Sequence, residues 1–497
     1  MIWLTTSYRY LALLITTVVA AALFYPYFSL NHDSSWYLVA TRMWLDGEQL
    51  YFGIVEINPP LAFYLTAPAL YLADGTGLNP TTAFLLYTVA LAGASSLWLI
   101  RIVLRADLSA GARAALLLGG MAGLFVMPLQ EFGQREHIML ILALPYLYHL
   151  ILGDRGGATG RAERVALGVV ATLGLALKPY FLLIPALIVL VGPVRRLLGR
   201  MFDPANLALG VGLVAYVGFI ATVHPEYFSR IVPVATQVYG SYGVGWSRVV
   251  LRREMFALLC FVALYCGRGR LADGISMRLL GAIIGALAVY LVQFKGWNYQ
   301  ILPLSFLLML GSVWLFQATA TLSRSDLVVG VLTIVILFLT LGRQIEYGPY
   351  RARTTAAFAP FVDRPGTPVM VLSSNLSPSF PFVNEVQARW SSRFPAQWHI
   401  PGALVGKARA DCRMQPQRCA TLDSILADAR TAMIEDIIRY RPKLVFVDVR
   451  RNKSYFERLP FDYLAFLRQD QAFAPLWTSY RKVGQAAGYE VWRRQGT

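Results

Sequence analysis

Between Tyr10 and Leu341 the sequence is built from eleven apolar runs joined by short polar connections, at residues 10–30, 81–100, 114–129, 138–152, 165–177, 181–194, 205–223, 254–266, 279–294, 301–316 and 327–341. A helix needs roughly 20 apolar residues to cross a bilayer. Most of the runs as bounded here fall short of that, 165–177 and 254–266 furthest, and must extend into their flanking loops, so the count is about eleven. Only 15% of the residues are charged, against about 25% in a soluble chain, and the expected class is a polytopic α-helical membrane protein. The first run is too long for a signal-peptide core and no small-residue cleavage site follows it, so it reads as a retained signal anchor.

The net charge of +17 would suit nucleic acid, but no RNA- or DNA-binding motif is present. Much of the charge sits instead in short loops between the apolar runs, the positive-inside pattern. With Arg9 placed in the cytoplasm, the connections carrying Arg101, Arg105 and Arg113, then Arg155, Arg161 and Arg164, then Arg195, Arg196 and Arg200, then Arg268, Arg270 and Arg278 all fall inside. Asp33, Glu136, Lys178 and Lys295 all fall outside. One slip in the count would scramble that sorting.

From residue 343 the chain is charged and has no spanning run. Residues 1–342 are expected to form the transmembrane domain, with a first outer loop at 31–80, and residues 343–497 a soluble α/β domain. Within the latter, 368–372 and 443–449 are short β-rich runs and 421–440 has apolar positions at helical spacing. Residues 477–483 and 489–493 flank GQAAG, a hairpin signal. An odd number of spans places this domain outside, where Cys412 and Cys419 would be oxidised. Cys260 and Cys266 read as packing residues.

The stretch 31–60, NHDSSWYLVATRMWLDGEQLYFGIVEINPP, follows the first span. A carboxylate so close to a bilayer is a functional candidate, and Asp33 is also a good N-cap for the amphipathic segment behind it. Both readings stand on the sequence. Residues 61–72 are too short to cross and read as an interfacial or re-entrant helix. Other polar groups at outer span ends are Arg135, Glu136 and His137, Lys178 and Tyr180, and Lys295, Trp297, Tyr299 and Gln300. A carboxylate can take a proton from a hydroxyl. Lysine and arginine hold phosphate, and aromatic rings such as Trp36 can stack on a sugar. A phosphate leaving group needs cations, not a general acid.

That set is expected to form one outer-face cavity. Asp33 would be its base and Arg135, Lys178 and Lys295 would hold the phosphate. His32, Trp36, Tyr51, Glu136, Tyr180, Trp297, Tyr299 and Gln300 would contact substrate. Each has an ordinary alternative: snorkelling for the lysines, a local ion pair for Arg135 and Glu136, an interfacial belt for the aromatics. His137 reads as a first-turn residue, and with no DxD or paired carboxylates no metal or other cofactor is expected.

Asp33 followed by Tyr37, Ala40, Gly47, Tyr51 and Pro59-Pro60 resembles the membrane glycosyltransferases of the GT-C fold, within them the lipid A 4-amino-4-deoxy-L-arabinose transferase and protein O-mannosyltransferase group. The resemblance covers roughly residues 1–345 and is specific in 31–60; Arg135-Glu136-His137, Lys295 to Tyr299, and the ending KVGQAAGYEVWRR are similar to bacterial members. It implies a polyprenyl-phosphate sugar as donor, a lipid or glycan acceptor, an aspartate in the first outer loop that the reaction requires, inversion at the anomeric carbon, and a bacterial inner-membrane location with a periplasmic C-terminal domain. Some relatives carry a second acidic residue near the first loops. Here only Glu56, Glu131 and Glu136 are candidates. A transporter or flippase for lipid-linked saccharides, or a polymerase or ligase acting on them, would share the basic aromatic cavity. The absence of internal repeats tells against transport, and the carboxylate tells against the ligase.

Overall fold

The computed structural model describes residues 2–157, 159–192, 194–267, 273–317, 324–352 and 354–496. The chain forms two compact units. The first comprises Met1–Phe28, Thr82–Phe219 and Val244–Tyr350; the second comprises Ser29–Thr81, Ile220–Gly243 and Arg351–Thr497. Arg268 and Arg270, assigned to an inner connection, lie outside the described residues.

The first unit is a helix bundle. Among the described residues seven helices are long and apolar enough to cross a membrane: Ser7–Tyr27, Pro80–Arg105, Arg135–Arg155, Pro204–Val223, Gly274–Gln293, Asn298–Phe316 and Asp326–Tyr347. An eighth results if the bent pair Pro179–Leu190 and Val194–Met201 is one span. These match seven of the eleven expected runs. The other four correspond to shorter or broken helices. Ala110–Phe125, Arg161–Leu175 and Arg253–Gly267 are helices of 16, 15 and 15 residues, about 24 Å at 1.5 Å per residue, short of a hydrocarbon core of about 30 Å. The 181–194 run is broken, its helix ending at Leu190.

Leu302–Phe316 is buried on nearly all sides, the mark of a central helix. Ala110–Phe125 packs on it where Gly119 and Gly123 face Leu310 and Phe306. Gly274–Gln293 lies against Leu183–Leu190 at Gly281 and Gly285, where a Cβ would stand 2.9 Å from the Leu187 carbonyl and 2.7 Å from the Ile184 Cα. Between helices in lipid, small residues allow the backbone approach that dispersion then rewards.

The second unit joins the first loop and residues 220–243 to the C-terminal chain. Its five-stranded sheet runs β2-β1-β3-β5-β4, with β1 Pro368–Leu372, β2 Arg389–Trp390, β3 Leu444–Asp448, β4 Tyr480–Ala486 and β5 Tyr489–Arg494. β1 is parallel to β2 and β3, and β5 antiparallel to β3. The expected hairpin is β4–β5, turning on Ala487 and Gly488, both at positive φ. The expected 421–440 helix begins earlier, at Pro416, where proline's missing N–H costs nothing. β2, two residues long, left no periodicity to read. Cys412 and Cys419 are joined as a disulfide.

The first-loop helices His32–Leu45 and Leu61–Thr76 are tied into this unit. Asn384 donates to the Ser35 carbonyl at 3.1 Å, Val55 N–H to the Arg393 carbonyl at 2.7 Å, and Arg439 pairs with Glu48 at 2.9 Å.

Candidate functional site

The expected site residues divide between the units: Arg135, Glu136, Lys178, Tyr180, Lys295, Trp297, Tyr299 and Gln300 in the bundle, and His32, Asp33, Trp36 and Tyr51 in the second unit.

In the bundle, Lys178 stands just past the Arg161–Leu175 helix, in extended conformation before Pro179. Its Nζ donates to Glu136 Oε1 at 2.5 Å; the lysine side chain is 5% exposed and the glutamate 0%. Glu136 Oε2 has no hydrogen-bond partner among the described residues. The Lys178 ammonium also lies 4.8 Å from the Tyr299 ring centre and 5.9 Å from that of Tyr180. Lys295 Nζ is 4.9 Å from the Trp297 ring centre. Burial, with the Lys178 charge second, pushes Lys295 down to about 6. A buried ion pair and a neighbouring second lysine, within cation–π distance of Tyr180, Phe181, Trp297 and Tyr299, form an enclosed site that a bound anion would make fully charged. Arg135, half-buried, opens the helix one residue before Glu136.

Lys295 is presented by a tight turn. Phe294 and Gly296 both have positive φ, and a Cβ at Gly296 would meet the Arg248 carbonyl at 3.1 Å. Gln300 closes the turn, accepting from the Trp297 N–H at 3.4 Å and donating to Gln293 at 2.6 Å. Beneath it lies a network that sequence reasoning missed. Arg252 donates to the Gly296 carbonyl at 2.5 Å and to Asn298 at 2.8 Å. Arg343 donates to Asn298 at 3.1 Å and to both oxygens of Glu254, at 2.7 and 2.8 Å. Arg343 lies 89 residues from Glu254 along the chain, so no local pattern joins them.

His137 is fully buried. Its Nδ1 accepts from the Gly133 N–H at 3.0 Å, which leaves Nε2–H to donate to the Leu124 carbonyl at 2.9 Å. It clamps the turn before the helix. Among the described residues no group of His, Cys, Asp or Glu could hold a metal ion.

In the second unit, Asn31 is the N-cap of His32–Leu45. Its side chain accepts from the Asp33 N–H at 3.0 Å. Asp33 therefore sits in the first turn rather than at the cap, which corrects the capping alternative. Its carboxylate is 3.6 Å from His32 Nε2 and 13% exposed. The Tyr455 phenol, from the C-terminal part of the same unit, is also near: burial and, second, the Asp33 charge push it up to about 12.

Trp36 is 1% exposed and its indole N–H donates to Glu56 at 2.8 Å. The other oxygen of Glu56 accepts from Asn58 N–H at 3.0 Å and from its side chain at 2.5 Å. Trp36, expected against a sugar, and Glu56, a candidate second carboxylate, hold the loop together. Tyr51 has φ +69, an unusual value for a bulky residue. It is held by its N–H to the Ile54 carbonyl at 2.7 Å and its hydroxyl to the Asn58 carbonyl at 3.0 Å. Its ring borders a cavity of about 420 Å³ with Trp398 and the buried His399, whose two ring nitrogens have no partner among the described residues. Burial pushes His399 down to about 3, so it is neutral at physiological pH.

No family model and no curated protein matches this sequence.

Proposed function

We propose that this protein is an inverting membrane glycosyltransferase of the GT-C type, moving a sugar from a polyprenyl-phosphate donor to a hydroxyl of a lipid or cell-envelope glycan. The observation that carries the reading is the enclosed Lys178–Glu136 pair with Lys295 and the rings of Tyr180, Trp297 and Tyr299. A phosphodiester supplies the negative charge such a site lacks. The first-loop resemblance supplies the reaction.

The acceptor hydroxyl gives its proton to the Asp33 carboxylate as its oxygen bonds the anomeric carbon. The bond from that carbon to the phosphate oxygen breaks, the electron pair leaves with the polyprenyl phosphate, and the configuration inverts. Asp33, in the first turn of His32–Leu45 and 13% exposed, is assigned the proton. Lys178 and Lys295 are assigned the charge that develops on the leaving phosphate, the kind of stabilisation that contributes most when water is excluded. Glu136 holds Lys178 in position through their buried pair. A bacterial inner membrane with the disulfide-bearing domain in the periplasm fits this reading, since disulfides persist in oxidising compartments.

The test is incubation of the purified full-length protein with a panel of polyprenyl-phosphate sugars, following release of polyprenyl phosphate and labelled glycoside. Turnover of at least one donor is expected. Movement of intact lipid-linked saccharide across proteoliposomes, with no polyprenyl phosphate released, would replace the transferase with a transporter.

A further inference from the structure

We propose that the bundle carries a second binding site, at the opposite ends of the same helices, that takes a phosphate-bearing ligand. Arg135–Leu152 has Glu136 at its start and His149 near its finish, about 20 Å apart at 1.5 Å per residue. Gly274–Gln293 begins with Arg278 and delivers Lys295 just past its end; Arg161–Leu175 begins with Arg164 and leads to Lys178. Three helices thus separate a lysine end from an arginine end.

At the arginine end lies a cavity of about 990 Å³, walled by Arg164, Arg195, Arg196, Arg200 and Arg278 with only Asp154 and Asp203 to balance them. Asp203 takes Arg164 at 3.1 Å and His149 at 3.3 Å, and Asp154 takes Arg196 at 2.6 Å. Among the described residues Arg195, Arg200 and Arg278 have no ion pair. Arg200 donates through Nε to the Val189 carbonyl at 2.9 Å, and its Nη2 is buried without a partner. Arg278 reaches only the carbonyls of Ile151 and Leu152, both at 3.3 Å.

Arginines that merely mark one side of a membrane extend into water. Arg200 and Arg278 are instead half-buried, and the backbone makes room for them. Gly192 and Gly153 both have positive φ; a Cβ would stand 3.2 Å from Arg200 Nη1 at the first and 2.2 Å from Arg278 Nη1 at the second. Guanidinium forks left with open donors match phosphate oxygens. Leu190, Leu198 and Phe202 are exposed on the neighbouring segments, an apolar collar that favours the headgroup of an anionic phospholipid as the source of the phosphate.

The experiment is native mass spectrometry of the full-length protein in detergent, titrated in one arm with phosphatidylglycerol or phosphatidylcholine and in the other with inorganic pyrophosphate. Phosphatidylglycerol should be retained over phosphatidylcholine, and Arg195→Gln/Arg200→Gln should weaken it by about tenfold or more. Arg278 is left intact because it holds the end of a helix. The single variant Arg195→Gln, at an exposed residue, should weaken binding in the same direction and guards against misfolding of the double one. Pyrophosphate binding that the variants abolish, without lipid preference, would support the phosphate site and assign it a soluble ligand. Equal retention of the two lipids with no pyrophosphate binding, or variants that bind as wild type does, would overturn it.

Discussion

Where Lys178 and Lys295 stand, one lysine is paired with a carboxylate, a second lies beside it, and both are almost wholly enclosed; at the other end of the same helices, five guanidiniums with two carboxylates line an open cavity. The residue types suit the settings. Lysine can lose its proton when buried, while arginine stays charged. The enclosed end can therefore be tuned by its surroundings, as Lys295 is, and the open end holds a fixed charge. Enclosed charges are costly unless paired. A pair plus one further lysine, which an arriving anion recharges, is an arrangement that such an anion completes, whereas exposed pairs such as Arg196–Asp154 contribute little either way.

The sharpest break of this contrast is at the buried pair. Lys178→Met leaves Glu136 enclosed and uncompensated, and should cost about 3–5 kcal/mol of stability, read as a large fall in thermal midpoint. The double variant Lys178→Met/Glu136→Gln should recover most of that stability without recovering donor binding. Recovery of both would make the pair structural.

Lys295 offers a titration. Its pKa in the empty site, about 6, lies below the ordinary lysine value of about 10.4, and a bound phosphodiester raises it again, so donor binding takes up a proton. Affinity should be full below pH 6 and fall by up to about tenfold per pH unit above it. The donor diester does not itself titrate there. Lys295→Met should bind more weakly and lose this slope. A wild-type donor affinity flat from pH 6 to 8 would contradict the assignment.

The smallest effect belongs to the open end. Arg196→Gln breaks an exposed pair and should change stability by at most about 1 kcal/mol, with donor turnover unaltered. A loss comparable to that of Lys178→Met would erase the distinction between the two ends.

Much of this was legible from sequence because charge sorting survives errors in helix length. The sorting of charges puts Lys178, Lys295 and Glu136 at one face, and their side chains lie close together, although four of the expected spans are short or broken. Four of the five strands were readable from β-branched runs and the GQAAG turn. Partners far along the chain were not. Arg343 supports the Lys295 turn from across the unit through Asn298 and Glu254, and Glu56 grips Trp36 across a fold of the first loop. Such pairings are set by tertiary packing, and the sequence offers only an isolated charge. The first loop's place beside the sheet had the same cause: the Asn384 side chain donates to the Ser35 carbonyl and the Val55 N–H to the Arg393 carbonyl, and the backbone groups in these bonds are ones that every residue carries.

The transfer step itself is tested most directly at Asp33. Sugar transfer by Asp33→Asn should be measured alongside donor binding and the anomeric configuration of the wild-type product. Loss of general-base help should slow transfer by about 10²–10⁴-fold while donor binding persists, and the wild-type product should be inverted. A fully active Asp33→Asn protein, or a product that retains the donor's configuration, would contradict the mechanism.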